Sequence, residues 1–394
     1  MSIRSLYLFN PEHDLALANG EANYMPPESA RIMVSDLALL PMWYAEPGSA
    51  VLASSAYNLG FMKEIQTLFP LSVELLTESE LVSERELRVL PWGWNPALRK
   101  RMSLLGVSEG VLPDLEKMAQ LRFYSHRSQA VKLLPKLRLD EFFCGESWWM
   151  TASEEWRVFV ERYEHSLLKA PLSGSGKGLN WCKGKFTPQI ANWCARISKL
   201  QDGVVGEPIY NKVEDFAMEF YSDGMGCVRF AGYSLFHAGK SGVYEGNLLL
   251  SDEEILHRLL GYVPLDSLSV LRYRLEEELS EWIGTAYTGY LGVDMMICLF
   301  EEKPLYRIHP CVEINLRMNM GVFARLFADK HLVPEAKGIY KLAFHAIQGE
   351  ALVEHQRLSE VFPLRTEEGR IRSGYLSLVP VTTRSKYRAF VICE

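Results

Sequence analysis

No two of the seven cysteines in this 394-residue chain form a C-x-x-C pair; they stand singly at 144, 182, 194, 227, 298, 311 and 393. An odd, scattered set of thiols suggests neither a zinc site nor a disulfide framework, and a reducing cytoplasm is the compartment it suits. Long apolar runs are missing too. None approaches the roughly 18–20 residues that a membrane span needs, so no membrane partner is expected. The apolar stretch before Asn10-Pro11 is too short for the core of a signal peptide. Positive charge is not in excess: a formal net charge of −7 argues against a protein held on nucleic acid by phosphate contacts. Repeats and low-complexity tracts are absent. What remains is the composition of a soluble globular protein, 48% apolar and 23% charged, in a chain long enough for two or three domains.

Two common nucleotide motifs are also absent. The stretch "KAPLSGSGKGLNW" (169–181) looks like a phosphate loop. A Walker loop, however, needs a glycine five positions before Gly176 and a hydroxyl after Lys177. The chain has Pro171 and Gly178 there. The first turn of the chain, "NPEHDLALANG", is not G-x-G-x-x-G, which disfavours a nicotinamide or flavin site.

Short apolar runs at 5–9, 49–55, 71–76 and 87–92 predict buried strands, with helical spacing between them over "SARIMVSDLALLPMWYA" and "NLGFMKEIQTLF". Such alternation predicts a small doubly wound α/β domain ending near residue 116. "LRFYSHRSQAVKLLPKL" predicts one basic helix. "HSLLKAPL" (165–172) predicts a strand, followed by the Gly/Ser loop and a helix running to about 200. From 203 onward strands dominate, interrupted by one strong helical segment, "LSVLRYRLEEELSEWIGTAY". Beyond "RMNMG" no pattern is informative.

The second half supplies what the loop lacks. In "VEINLR" (312–317) Val312, Ile314 and Leu316 alternate with Glu313, Asn315 and Arg317, so one strand face offers a carboxylate, an amide and a guanidinium. Hard oxygen ligands of this kind suit magnesium, which keeps waters and substrate phosphates in its shell. In "GYLGVDMMICLF" Asp294 is a lone charge in an apolar strand. With the joining turn centred on Lys303 and Pro304, Asp294 lies opposite Glu313, and two close carboxylates call for a cation between them. Asp294 has a second reading, as a buried acid paired with Arg307 or Arg317. In the loop after the first strand, Asn10 or Asp14 is expected to cap a helix. Substrate contact by Glu12, His13 or Asp14 is the alternative there, because ligand crevices form at strand C-termini.

The order of these features resembles the ATP-grasp superfamily over roughly residues 120–325. The resemblance implies a Rossmann-like α/β pre-ATP-grasp domain (1–116) followed by an α+β ATP-grasp fold of two subdomains (117–202 and 203–394). It matches Lys169 to the strand lysine that reaches the phosphates, and Ser173, Gly174, Ser175, Gly176, Lys177 and Gly178 to the glycine-rich flap. "VVGEPIYNKVEDFAMEF" is similar to the hinge, which places Glu207, Pro208 and Ile209 at the adenine and Asp215 at the ribose. His237 falls in a segment that brings a histidine near the nucleotide. Asp294, Glu313 and Asn315 fall on the metal positions, Asp294 replacing the more usual glutamate. Arg317 completes E-x-N-x-R and would stabilise charge on the transferred phosphoryl group or on the acyl intermediate.

The implied activity is that of an ATP-dependent, magnesium-using ligase, with manganese as the substitute metal. It would activate a small-molecule or peptide carboxylate as an acyl phosphate for an amine or thiol acceptor. A kinase acting on a hydroxyl with the same nucleotide site, or a non-catalytic nucleotide-binding module, are the alternatives. A homodimer is the default assembly.

Overall fold

The computed structural model describes residues 3–54, 56–84, 87–174, 178–239 and 243–394. Strand β1 (Arg4–Leu8) pairs in parallel with β2 (Ser49–Leu52) on one side and β4 (Leu87–Pro91) on the other, and β3 (Val73–Leu76) lies outside β2. The order β3-β2-β1-β4 makes the expected doubly wound sheet. Parallel neighbours need crossover connections, and α1 (His13–Asn19), α2 (Glu28–Asp36), α3 (Ala56–Leu68), α4 (Glu78–Leu81) and α5 (Pro96–Leu104) occupy the chain between and after the strands. The expected cap of α1 is not formed. Glu12 holds the N-cap position without a side-chain bond. Asn10 instead bridges to the turn after β4, donating to the Gly93 carbonyl at 2.7 Å and accepting from its N–H at 3.3 Å.

The single basic helix expected at 121–137 is two, α6 (Leu115–Tyr124) and α7 (Ser128–Leu137). At the break, Arg127 becomes the N-cap of α7 and its N–H bonds the Pro171 carbonyl at 3.0 Å, which no single continuous helix would allow. The second sheet has the order β5-β8-β6-β7, built from β5 (Trp148–Met150), β6 (Ser166–Lys169), β7 (Leu179–Cys182) and β8 (Val204–Pro208). Helices α8 (Ser153–Arg162) and α9 (Pro188–Gln201) cover it around Phe159, Leu168, Cys194 and Val204. Residues 179–182, expected to lead into a helix, form β7 because they close a hairpin with β6 across the Gly/Ser loop.

The third sheet has nine strands in the order β13-β12-β9-β10-β11-β14-β17-β16-β15. They are β9 (Lys212–Asp223), β10 (Val228–Ala238), β11 (Tyr244–Leu249), β12 (Thr288–Leu299), β13 (Tyr306–Asn315), β14 (Gly338–Phe344), β15 (Arg365–Glu367), β16 (Arg370–Ser377) and β17 (Tyr387–Cys393). The expected helix is α11 (Leu265–Ile283), and three more were not anticipated: α10 (Asp252–Leu259), α12 (Met320–His331) and α13 (Glu350–Val361). The uninformative C-terminal stretch thus supplies four strands of the sheet.

Alternation along the strands sets the two faces of this sheet. Phe216, Met218 and Phe220 of β9, and Leu291, Val293 and Met295 of β12, enter one core with α7 and α11. Ala217, Glu219, Gly292 and Asp294 therefore face the other side. There α12 packs against the N-terminal sheet through a core that includes Trp43, Phe323, Phe327 and Leu378. The cleft between these layers holds the candidate site. Among the described residues no helix is long and apolar enough to cross a membrane.

Candidate functional site

The β12–β13 hairpin places Asp294 opposite Glu313 and Gly292 opposite Asn315. Asp294 accepts a hydrogen bond from the Asn315 amide at 3.0 Å. Among the described residues Asp294 takes part in no ion pair, so the alternative of a partner in Arg307 or Arg317 is not realised. Burial first, then the charges of Glu313 and Glu219, push its carboxyl up to about 8 against the relief from Asn315. A carboxyl this short of counter-charge is the environment a cation completes. No group of three or more Asp, Glu, His or Cys side chains among the described residues is arranged as a closed metal site. Two carboxylates and an amide suit an ion that keeps other oxygens in its shell.

The expected turn at Lys303 and Pro304 is displaced. Leu299 pairs with Tyr306, centring the turn between Glu302 and Lys303. Between Met296–His309 and Asp294–Glu313 the β13 side then takes up two extra residues in a bulge. Pro310, which has no N–H to give a ladder, stands in that bulge on an edge strand. The two offsets cancel at Asp294.

Arg317 lies just past β13 and reaches the N-terminal domain. Its Nε donates to Asp14 Oδ1 at 2.8 Å and its terminal nitrogen to Oδ2 at 2.6 Å. Burial works against ionisation of Asp14, and Arg317 outweighs it, holding the carboxyl below the usual range. Asp14 thus forms a bidentate pair rather than the helix cap expected of it.

Arg127 joins the candidate site although no motif in the sequence marks it. Its guanidinium donates to the Ala170 carbonyl and the Ser173 hydroxyl at 2.6 Å, the Ser173 carbonyl at 3.0 Å and Glu313 at 2.7 Å. One buried cation therefore joins the start of the flap to a metal-ligand candidate. The available signal was an arginine at a helix break, "YSHRS". Glu219 joins it too, a lone acid in the apolar strand "AMEFY", the same signal that exposed Asp294.

A cavity of about 190 Å³ brings together Gly174, Asp294, Glu313, Asn315 and Arg317, with Asp14 and Glu219. Gly174 leaves room for Asp14: a Cβ there would lie 2.2 Å from Asp14 Oδ2. Ser175, Gly176 and Lys177 lie outside the described residues. Gly178 closes the flap at a φ of 71°, and its carbonyl accepts from the Ala170 N–H at 2.8 Å.

The other expected residues do not line this cavity. Lys169, at the end of β6, is 6% exposed and pairs with Glu207 of β8 at 2.5 Å. Pro208 ends β8, and the Ile209 N–H donates to the His165 carbonyl at 3.1 Å. Asp215, on β9, pairs with Lys212; burial raises its carboxyl against that pairing and the influence of His237, which is exposed on β10. Trp92 separates the cavity from a second one of about 400 Å³, walled by Tyr7, Tyr44, Trp94, Tyr287 and Tyr290.

No family model matches the chain. Among curated proteins, none matches at a significant level. Solved structures do. Biotin carboxylase of Campylobacter jejuni, in its β,γ-ATP complex, shares 11% identity at a TM-score of 0.53, over 100% of this chain and 88% of that one. N5-carboxyaminoimidazole synthetase of Staphylococcus aureus, complexed with ADP, shares 10% identity at a TM-score of 0.49, over 99% and 93%. The Thermus thermophilus N5-carboxyaminoimidazole ribonucleotide synthetase shares 13% at 0.49, over 99% and 93%. The overlap with biotin carboxylase runs through all three sheets and gives the chain the ATP-grasp fold. Its N-terminal α/β domain is part of that overlap.

Proposed function

We propose that the protein is an ATP-dependent ligase that activates a carboxylate as an acyl phosphate. One observation carries the reading: Asp294, Glu313, Asn315 and Arg317 meet the start of the flap, Gly174, in one cavity. The likeness to an enzyme solved with an ATP compound supports it. Asp294, Glu313 and Asn315 would hold magnesium, which when bound supplies charge neutralisation for the β- and γ-phosphates.

The chain's own residues do the rest. Lys169, just before the flap, and Arg127, bonded to its first residues, are the two cations proposed for the phosphates. Each is now held by an internal carboxylate, Glu207 or Glu313, and phosphate oxygens offer the same anionic chemistry. Glu207, Pro208, Ile209, Asp215 and His237 form the proposed nucleoside side of the site, and Ser173, Gly174 and Gly178 the described ends of its proposed cover. Arg317, oriented by Asp14, faces the carbonyl oxygen on which charge develops during acyl transfer. The substrate body would enter the aromatic cavity behind Trp92, leaving its carboxylate at Arg317. Acceleration comes from positioning and fixed charge.

The test is calorimetric titration of a non-hydrolysable ATP analogue, with and without magnesium, on wild type, Lys169→Ala and Glu313→Gln. Magnesium-dependent binding in wild type, lost in both folded variants, is expected. Absence of binding by well-folded wild type would remove the basis of the ligase reading. A product mass equal to the two substrates together less water separates ligation from the phosphorylation of a hydroxyl.

A further inference from the structure

One carboxylate of the cleft has no part in the nucleotide chemistry above. Glu219 stands mid-way along β9 and is 1% exposed. Among the described residues its oxygens accept from neutral donors only: Oε1 from the Ser234 hydroxyl at 2.9 Å and Oε2 from the Asn319 amide at 3.0 Å. The cation whose charge reaches it, Arg317, is engaged in the bidentate pair with Asp14.

The chain keeps this carboxylate in one pose. Gly292 is its cross-strand neighbour on β12, and Gly321 is the second residue of α12. A Cβ on Gly292 would lie 2.4 Å from Glu219 Oε2, and one on Gly321 only 2.1 Å from Oε1. Asn319 is fixed as well. Its Oδ1 caps α12 by accepting the Val322 N–H at 2.9 Å, which turns its NH2 group to Glu219. Two missing side chains and one oriented amide hold the anion at the cavity wall.

That wall is otherwise neutral, made by Phe236, Tyr244, Asn247 and Met320. The Tyr244 hydroxyl donates to Asn247 Oδ1, and the Asn247 amide donates to the Leu235 carbonyl at 3.1 Å. Among the described residues Glu219 is therefore the charged group of this wall. A buried carboxylate without a cation is costly to ionise, and a ligand that brings a positive charge removes that cost.

We propose that Glu219 is the seat of the acceptor, and that the acceptor is an amine bound as its ammonium ion. The inference rests on the ligase reading and narrows it. A thiolate would meet the carboxylate as a like charge, and a hydroxyl acceptor would bring no charge to it. The cavity of about 190 Å³ is smaller than the roughly 300–1,000 Å³ of pockets that enclose a drug-sized ligand. The enclosed part of the amine is accordingly short, with Phe236, Tyr244 and Met320 around its carbon atoms.

Methylammonium is the probe, titrated into wild type, Glu219→Gln and Glu219→Asp by ligand-observed NMR, with methanol as the neutral control. Glutamine fits the slot: its carbonyl accepts from Asn319 and its NH2 group donates to the Ser234 oxygen. Folding is checked by thermal unfolding. Wild type is expected to bind methylammonium about tenfold or more tightly than Glu219→Gln, with Glu219→Asp between them and methanol unchanged throughout. Equal methylammonium affinity in wild type and folded Glu219→Gln would overturn the proposal, as would no binding by wild type. The titration is run with and without magnesium and the ATP analogue. Loss of nucleotide binding alone would count against the ligase reading, while the nucleotide-free comparison still reports on Glu219.

Discussion

Asp14 and Arg317, 303 positions apart, form a bidentate ion pair that ties the loop after the first strand to the end of the β12–β13 hairpin. The pair is partly buried and couples the N-terminal domain to the nine-stranded sheet at the candidate site. Asp14→Asn keeps the shape and removes the charge. We expect it to cost about 1–3 kcal/mol, because a largely buried guanidinium loses its partner. Urea unfolding at neutral pH measures this, and a change below about 0.5 kcal/mol, the range of ordinary surface substitutions, would refute the coupling.

Gly174→Ala tests the contact between flap and loop. The added Cβ would sit 2.2 Å from Asp14 Oδ2, so either the flap or Asp14 must move. Overpacking of this kind costs about 1–3 kcal/mol in a core. Here the displacement falls on the flap, and nucleotide affinity is expected to drop about tenfold while the unfolding midpoint stays nearly constant. Unchanged affinity would show that the flap binds nucleotide without approaching Asp14.

Arg127 makes four hydrogen bonds in a fork that lysine cannot reproduce. Arg127→Ala is predicted to weaken magnesium-dependent nucleotide binding by about tenfold or more and to speed amide exchange at Ala170, with Arg127→Lys restoring only part of either. Charge-assisted bonds of about 1.5–3 kcal/mol each make an effect of this size reasonable. Full recovery by lysine would reduce the role of Arg127 to charge alone.

Acid should destabilise the fold in a defined window. Burial pulls His13, His309 and His331 down to about 4 from an ordinary value of 6.5. Between those values the unfolded chain binds protons that the folded chain refuses, so stability falls as pH drops from 6.5 to 4 and levels off below. Each histidine contributes at most about 3 kcal/mol. His331, bonded through Nε2 to the Trp43 carbonyl at 2.7 Å, lies away from the site. His331→Phe should flatten the curve in this window and lower stability at pH 7 by about 1 kcal/mol for the lost bond. Urea midpoints at successive pH values decide it: a parallel curve for the variant would exclude His331 as a contributor.

Much of the architecture was legible because it is local. Four short apolar runs separated by helical spacing define the parallel sheet, and the alternation in "VEINLR" puts Glu313, Asn315 and Arg317 on one face. The pairing of Asp294 with Glu313 was reached through two errors that compensate. The turn lies one position earlier than expected, and the bulge at Pro310 restores the register, which no hairpin rule encodes. Arg127 stayed hidden because its partners, Ser173 and Glu313, are distant in sequence. Glu219 carried a readable signal, but its meaning depends on Gly292 and Gly321, which converge only in the folded sheet. The β15–β16 hairpin turns at Glu368 and Gly369, both at positive φ, within the stretch where no sequence pattern is informative. Where that hairpin joins the sheet is a non-local fact.

Strand β17 follows every other strand along the chain, yet it lies inside the sheet, with β14 on one side and β16 on the other. During synthesis, both neighbours must wait for residues 387–393 with their pairing edges open. Open edges attract other chains. The interval between completion of β16 and arrival of β17 is then the moment of greatest exposure to aggregation, and a chaperone that shields β14 in that interval would raise the yield of folded protein without touching the cleft.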